Sequence, residues 1–345
     1  MMKFLTLFLF PVFLLATDFS VSTYNIENLF DAKKSGYEYK EYIPNTQSVW
    51  NEKMLIIKLK NIAKVIKELG ADIIAQELEN IDVAKRLNLA LVSKKYPYMY
   101  SNFRNHSIDS ILLSRYPIKS HQVFNINRKF RPIHKVVVDI KGLQVSLFLN
   151  HWPSYKNGNK KRMEYAKTLE KLYKKERNYI LLGDFNSPLE IDEKGWGKAV
   201  NYVSEKNINL WHDIRQHDRY SHVFFKDKNA LDHIIISKNI NYKEGSFLVF
   251  KPKYLLNKYK HPNRWQISQK GKGKHLGIGY SDHFALKATF STKKIKKAVL
   301  KEVSIKEILN TQKRRVNFIL NDVMVIDASK YGVTIEDKNR DTVYI

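Results

Sequence analysis

A chain of 345 residues with 43% apolar and 12% aromatic side chains has ample material for a packed core, which excludes disorder as its general state. It contains no cysteine, so disulfides, thiolate metal sites and a thiol nucleophile are excluded, and any metal must sit on oxygen or imidazole. Sixty Lys and Arg against 34 Asp and Glu give a net charge of +26, which attracts polyanions such as nucleic acid or anionic lipid, although a lysine-rich genome produces part of such a bias neutrally.

Lys3 precedes a 13-residue apolar stretch, Phe4 to Ala16, which is too short for the ~20 residues of a spanning helix and right for a secretory h-region. Residues 1–16 therefore read as a removable signal, with a buried first strand as the alternative. The expectation is a periplasmic or secreted protein with no stable membrane anchor after cleavage. The core begins with a strand over Phe19 to Asn25. Asn51 can cap a helix in which Leu55, Ile56, Leu59, Ile62, Ala63, Ile66 and Leu69 recur at helical spacing, and Gly70 supplies its stop. The stretch "ADIIAQE" follows as a short buried strand. A helix near 81–94, strands near 110–115, 133–140 and 143–149, a helix near 160–176 and a strand from Tyr179 to Leu182 continue the alternation. Hairpins mixed with helical crossovers predict a layered α/β fold whose sheets are not purely parallel.

Between Lys251 and Lys274 the chain is rich in Lys, carries Arg264 and Trp265, and has no acidic residue. It reads either as an arm that embraces a phosphate backbone or as a solvated loop. "STKKIKK" after Phe290 reads as a linker, and residues 298–345 turn into short β-like runs such as "RVNFIL", "VMVIDA" and "YGVTIED". These form a small β-rich module, either a partial oligonucleotide-binding barrel bearing Tyr331 and Tyr344 or a stabilising hairpin.

Six short motifs set polar residues at the ends of apolar, strand-like runs, the place where α/β enzymes put their sites. They are Asn25 in "STYNIENLF", Glu77 in "IIAQE", His151 in "LFLNHWPS", Asp184 and Asn186 in "ILLGDFNSP", Asp232 in "LDHIII", and Asp282 with His283 in "SDHFAL". Singly, each is explained by turn or cap preference or by a solvated carboxylate.

In this order the motifs resemble those of the endonuclease/exonuclease/phosphatase superfamily, from about Phe19 to Phe290, with "GDFN" and a late "SDH" the specific pair. The resemblance implies a four-layer α/β sandwich of two mixed sheets, with residues 17–292 as the catalytic domain. It implies that Glu77 is the principal ligand of a catalytic Mg²⁺, with Mn²⁺ the alternative ion, that Asn25 holds the metal or the phosphate, and that Asp282 belongs to the metal side. A sparse oxygen site suits a hard ion that keeps several waters. Asp184 and Asn186 then contact the scissile phosphate and position water, and His283 is the general base or phosphate-stabilising histidine, its ring fixed by Asp232. His151 resembles the second histidine of the deoxyribonuclease-like and phospholipid phosphodiesterase branches, and "NHWPS" resembles the motif of secreted bacterial nucleases. Its carboxylate partner is expected to be Asp109 in "SIDSILLSRYP", which would hold the ring in one tautomer. His106, His134, His212, His217, His222, His233, His261 and His275 lack motif support and read as exposed or packed.

The resulting expectation is a secreted or periplasmic Mg²⁺-dependent nuclease, an endonuclease acting on nucleic acid and above all DNA, with in-line attack by water and no covalent intermediate. His283 with Asp232 activates the water and His151 with Asp109 protonates the leaving oxygen; Asp184 is the alternative base. A sphingomyelinase-like phospholipid phosphodiesterase shares the histidine pair and usually shows an exposed aromatic hairpin. A catalytically inactive nucleic-acid-binding protein is the third reading, weakened because every expected polar position is filled.

Overall fold

The computed structural model describes residues 17–78, 80–102, 108–126 and 130–293, and beyond them five short strands between 301 and 344. The expected signal, residues 1–16, and His106 lie outside the described residues, as do the side chains of Glu77 and Lys270. The chain divides into two compact units, Met1–Ile295 and Lys296–Ile345.

In the first unit one sheet gathers β1 (Asp18–Thr23), β2 (Ile73–Leu78), β3 (Tyr98–Ser101) and β4 (Asp109–Ser114) from the first third of the chain. A second sheet is built from β5 (Ile118–Phe124), β6 (Ile133–Ile140), β7 (Leu143–His151), β8 (Tyr179–Asp184) and β9 (Ile208–Asn209). A short hairpin, β10 (His222–Phe224) with β11 (Asp227–Asn229), precedes β12 (Asp232–Ile236), which enters the second sheet between β8 and β9. The chain then returns through β13 (Asn241–Tyr242), β14 (Leu248–Phe250) and β15 (Ala285–Ser291) to the first sheet. Strand orders are β13-β15-β1-β2-β4-β3, with β14 also on β15, and β5-β6-β7-β8-β12-β9. Both sheets are mixed, because β1–β2 and β7–β8 are parallel and the other pairs antiparallel.

Four helices cover the outer faces: α1 (Glu52–Leu69) and α2 (Ile81–Ala90) on the first sheet, α3 (Asn159–Tyr173) and α4 (Lys198–Ser204) on the second. Period-2 alternation within each strand divides the apolar side chains between layers. In β8, Ile180 and Leu182 join the core between the sheets while Leu181 packs under α3 and α4; in β12, Ile234 and Ile236 face inward and Ile235 outward. Phe19 and Val21 of β1 and Leu286, Ala288 and Phe290 of β15 complete the inner layer from the other side. The result is the expected four-layer α/β sandwich.

α1 starts and stops as its sequence dictates: the Asn51 side chain accepts the Met54 N–H, and Gly70, at φ 57°, donates its N–H to Ile66. α2 is shorter than expected, because Val92 at φ 56° turns the chain into a 3₁₀ turn, Val92–Lys94. The basic segment 251–274 is anchored rather than free. Trp265 is 1% exposed and packs in the outer core with Leu255, leaving Lys253, Lys258, Lys260, Lys272 and Lys274 exposed around it. Within it lies one turn of helix, α5 (Ser268–Gly271). Among the described residues no helix is long and apolar enough to cross a membrane.

The second unit contains a two-stranded parallel pair, β16 (Lys301–Glu302) with β17 (Phe318–Ile319), and a three-stranded antiparallel sheet of β18 (Met324–Ser329), β19 (Gly332–Glu336) and β20 (Thr342–Tyr344). Tyr344 lies in β20, and Tyr331 lies outside the described residues.

Candidate active site

The inward-facing alternation of four strands ends in polar residues at one end of the sandwich. Phe19 and Val21 are followed in the same phase by Thr23 and Asn25; Val145, Leu147 and Leu149 by His151; Ile180 and Leu182 by Asp184; and Ile236 and Ile234, read backwards along antiparallel β12, by Asp232. The apolar filling stops there and a polar cluster takes its place. Asp184 sits beside His151 on one neighbouring strand and opposite Asp232 on the other. Across the gap, Asn25 Nδ2 donates to Asp184 Oδ2 at 3.1 Å, tying the two sheets together through residues 159 positions apart.

Asp184 is held firmly. Asn186 turns back at φ 46°, so that its N–H reaches Asp184 Oδ1 at 2.8 Å and its Nδ2 reaches Oδ2 at 3.2 Å. Gly183 makes the close approach of the strands feasible: at φ 130° it lies so near β7 that a Cβ there would stand 1.9 Å from the Asn150 carbonyl oxygen. His151 Nε2 lies 3.9 Å from Asp184 Oδ2 and borders an open cleft of about 700 Å³ that Asn28, Arg131, Trp152 and Lys156 also line.

His283 Nδ1 bonds Asp232 Oδ2 at 2.6 Å with both residues buried, which fixes the ring and leaves Nε2 for chemistry. Burial opposes a charge on this ring, but Asp232, followed by Asp184 and Asp282, overrides it and raises the pKa to about 10. Asp282 does not fix its neighbour's ring and pairs with it only loosely: its Oδ1 is 3.9 Å from His283 Nε2, and its Oδ2 is 3.6 Å from Arg264. Ser281 steadies the turn, its hydroxyl donating to the Asn25 carbonyl at 2.6 Å and accepting the His283 N–H at 3.1 Å.

The expected pairing of Asp109 with His151 is corrected by the structure. Asp109 Oδ1 instead accepts from His134 Nε2 at 2.7 Å, and His134 Nδ1 bonds the Tyr100 hydroxyl at 2.8 Å, all three being buried. His134 on β6 lies nearer the start of β4 than does His151 at the end of β7, and sequence spacing could not distinguish the two. Asp109 still lines the cleft beside His151, but it does not orient that ring.

Several contributors escaped sequence reading. Glu27, two residues past Asn25, adopts φ 51° and takes a fork from Arg264 together with the Trp265 N–H at 3.2 Å. Burial, and then Asp282, raises its pKa to about 7. Lys58, on the buried face of α1, donates to the carbonyls of Glu27 and Asn28 and to Tyr42 Oη, its pKa lowered by burial to about 8. His222 packs its ring 4.7 Å from that of His283, and burial followed by His283 lowers its pKa to about 4. The available signals were Glu27 inside the motif that carries Asn25, and Arg264 as the lone Arg of an acid-free segment.

Glu77 follows two residues after Ala75 as Asn25 follows two after Thr23, and Thr23 and Ala75 are partners in the parallel register of β1 and β2. The ends of these strands and the Asp282 turn thus bring Asn25, Glu77 and Asp282 to one end of the first sheet. Asn25 and Asp282 offer hard oxygens there, as a hydrated divalent ion such as Mg²⁺ requires. Asn25 already uses Oδ1 for the Glu27 N–H at 3.0 Å and Nδ2 for Asp184, so it also fixes the loop and the neighbouring carboxylate.

Residues 20–292 match the model of the Endonuclease/Exonuclease/phosphatase family. Solved structures share the fold at low identity. TDP2 from Caenorhabditis elegans is 16% identical with a TM-score of 0.53, the alignment covering 79% of this chain and 75% of that one. A family protein from Bacteroides thetaiotaomicron is 14% identical with a TM-score of 0.52, covering 81% and 99%. TDP2 from D. rerio, crystallised with a single-strand DNA product, is 14% identical with a TM-score of 0.51, covering 79% and 99%. No curated protein sequence matches the chain.

Proposed function

The chain belongs to the endonuclease/exonuclease/phosphatase family, and from that membership we propose that it is a metal-dependent nuclease that hydrolyses phosphodiesters of DNA by in-line attack of water. The observation that carries the reading is the convergence of the motifs on one point: Asp232 fixes His283, Asp184 lies opposite Asp232, and Asn25 reaches Asp184 from the other sheet. Asp184, Asn186 and the Asp232–His283 pair form the attacking side: Asp184 takes up the water's proton, while Asn186 and the charged His283 ring held by Asp232 bind the phosphate. His151 faces the leaving oxygen from the end of β7 and returns a proton to it. A divalent cation held by Glu77, Asn25 and Asp282 would supply neutralising charge to the phosphate oxygens. The net charge of +26 and the exposed lysines of the anchored segment supply long-range attraction for a polyanion, and a D. rerio structure with the same fold holds a single-strand DNA product.

A second reading, phospholipid hydrolysis, is favoured by one observation. The β10–β11 hairpin, whose His222 bridges to His283, carries Phe224 and Phe225 at 61% and 82% exposure, with Lys226 and Lys228 beside them. Trp265, the tryptophan of the basic segment, is buried and offers no such surface. Purified protein offered plasmid DNA, RNA and sphingomyelin vesicles, each with Mg²⁺ or chelator, separates the readings. Mg²⁺-dependent cleavage of DNA is expected. Release of phosphocholine without nucleic-acid cleavage would establish the lipid reading instead, and DNA binding without hydrolysis of any substrate would leave a binding protein.

A further inference from the structure

His222 has no role in the chemistry above, yet its placement is not that of a filler. It begins the hairpin that docks on the active site: its backbone bridges to His283, and the Phe284 N–H donates to the Ser221 carbonyl at 2.7 Å. Its ring lies 4.7 Å from the His283 ring, at 42° between planes. Nδ1 is buried with no hydrogen-bond partner among the described residues. A buried, unpaired ring nitrogen is costly, and a phenyl ring would fill the same space without that cost.

The same ring also belongs to a cluster of metal-ligating side chains. His222, Asp282 and His283 each offer one ligand atom, and the three atoms lie within 4.8 Å of one another. His283 is already prepared as a ligand, because its Nδ1 is engaged by Asp232 and only Nε2 is left to coordinate. A carboxylate behind a histidine in this way is the usual support of a zinc-bound imidazole. Two imidazoles and one carboxylate make a donor set suited to Zn²⁺ and unlike the oxygen-only set that Mg²⁺ prefers, with a fourth position left for water.

We propose that His222, Asp282 and His283 form a binding site for Zn²⁺ that inhibits the enzyme by occupying Nε2 of His283. On binding, His283 releases any proton it holds on Nε2 to solvent, and the ring can then no longer hold a phosphate. The binding rests on the geometry of the trio; the inhibition rests on the role proposed for His283.

The test separates the two. Calorimetry with ZnCl₂ on the untagged full chain, without substrate, should show one tight site, and Co²⁺ should give the intense visible bands of low coordination. His222→Phe keeps the ring stack and removes both nitrogens; it should weaken Zn²⁺ binding at least tenfold, and His222→Gln is the substitute if that variant melts early. With DNA and saturating Mg²⁺, Zn²⁺ should inhibit wild type at a midpoint above the calorimetric one, because Mg²⁺ shares Asp282 and DNA shares His283, and the His222 variant should need at least tenfold more. Equal Zn²⁺ affinity in wild type and both variants overturns the site. Tight, His222-dependent binding that leaves turnover of an active enzyme untouched overturns the inhibition, and a protein with no turnover at all, yet the same Zn²⁺ binding, overturns the nuclease reading alone.

Discussion

Replacing Gly183 by Ala tests whether the tight join of β7 and β8 builds the site. The new Cβ would stand 1.9 Å from the Asn150 carbonyl oxygen and 3.0 Å from its nitrogen, both backbone atoms that no rotamer can move aside. Relief requires the two strands to part by about an ångström at the Asn150–Gly183 pair. The φ of 130° adds strain for any residue with a side chain. Strain of about 1–3 kcal/mol and an overpacking cost of similar size together predict a loss of roughly 2–6 kcal/mol. The next pair in the ladder is His151–Asp184, so the separation is passed directly to the two groups proposed above to act on the phosphate. A displacement near 1 Å costs on the order of 10²-fold in rate. Urea unfolding measures the first effect, and steady-state hydrolysis well below the melting temperature measures the second. An alanine variant within 0.5 kcal/mol of wild type and with full turnover would refute the reasoning.

Four further outcomes follow from the same geometry. Lys58→Met should cost about 2–5 kcal/mol by urea unfolding, because two buried carbonyls, those of Glu27 and Asn28, lose a charged donor; wild-type stability would show that water replaces the ammonium. His233 is fully buried between the Ser187 carbonyl and Asn209, and burial lowers its pKa from 6.5 to about 4. The unfolded ring therefore takes a proton below pH 6.5 that the folded ring refuses, and this residue should remove about 1 kcal/mol of stability per pH unit between 6.5 and 5; a flat denaturation midpoint across that window would refute it. Asp232→Asn should lower the rate roughly 10²–10⁴-fold with the fold intact by circular dichroism, and an unimpaired variant would remove the Asp232–His283 pair from the chemistry. His151→Ala should lose a similar factor on DNA but recover much of it on a nitrophenyl phosphodiester, whose leaving group needs no proton; equal losses on both would recast His151 as a phosphate ligand.

Features that depend on neighbours in sequence were legible from sequence. The caps at Asn51 and Gly70 bound α1, and polar residues ending apolar alternation marked the strand ends where the cluster forms. Features that depend on one sheet meeting the other were not. Asp109 had two histidines to choose between, and the choice is made by the position of β6 across the sandwich. Glu27 and Arg264 meet over 237 positions, a pairing no local pattern encodes. Lys58 reads as solvent-facing by charge, yet the helix buries it because two carbonyls in left-handed residues need a donor there. Trp265 looked like an exposed ring in a basic loop, whereas its indole N–H donates to His275 Nδ1 at 2.7 Å inside the core.

The pairing of β1 with β15 bears on how the molecule comes into being. Asp18–Thr23 waits for Leu286–Ser291, and two last hydrogen bonds join Thr17 to Thr292 over 275 positions. During synthesis the first strand emerges early and keeps one bare edge until nearly all of the first unit has been made, an arrangement that slows folding and invites association in the interval. Asp282 and His283 arrive in that same last stretch, immediately ahead of β15. A nascent or truncated chain therefore has neither a closed sheet nor an assembled cluster until the translated polypeptide has sealed its own seam.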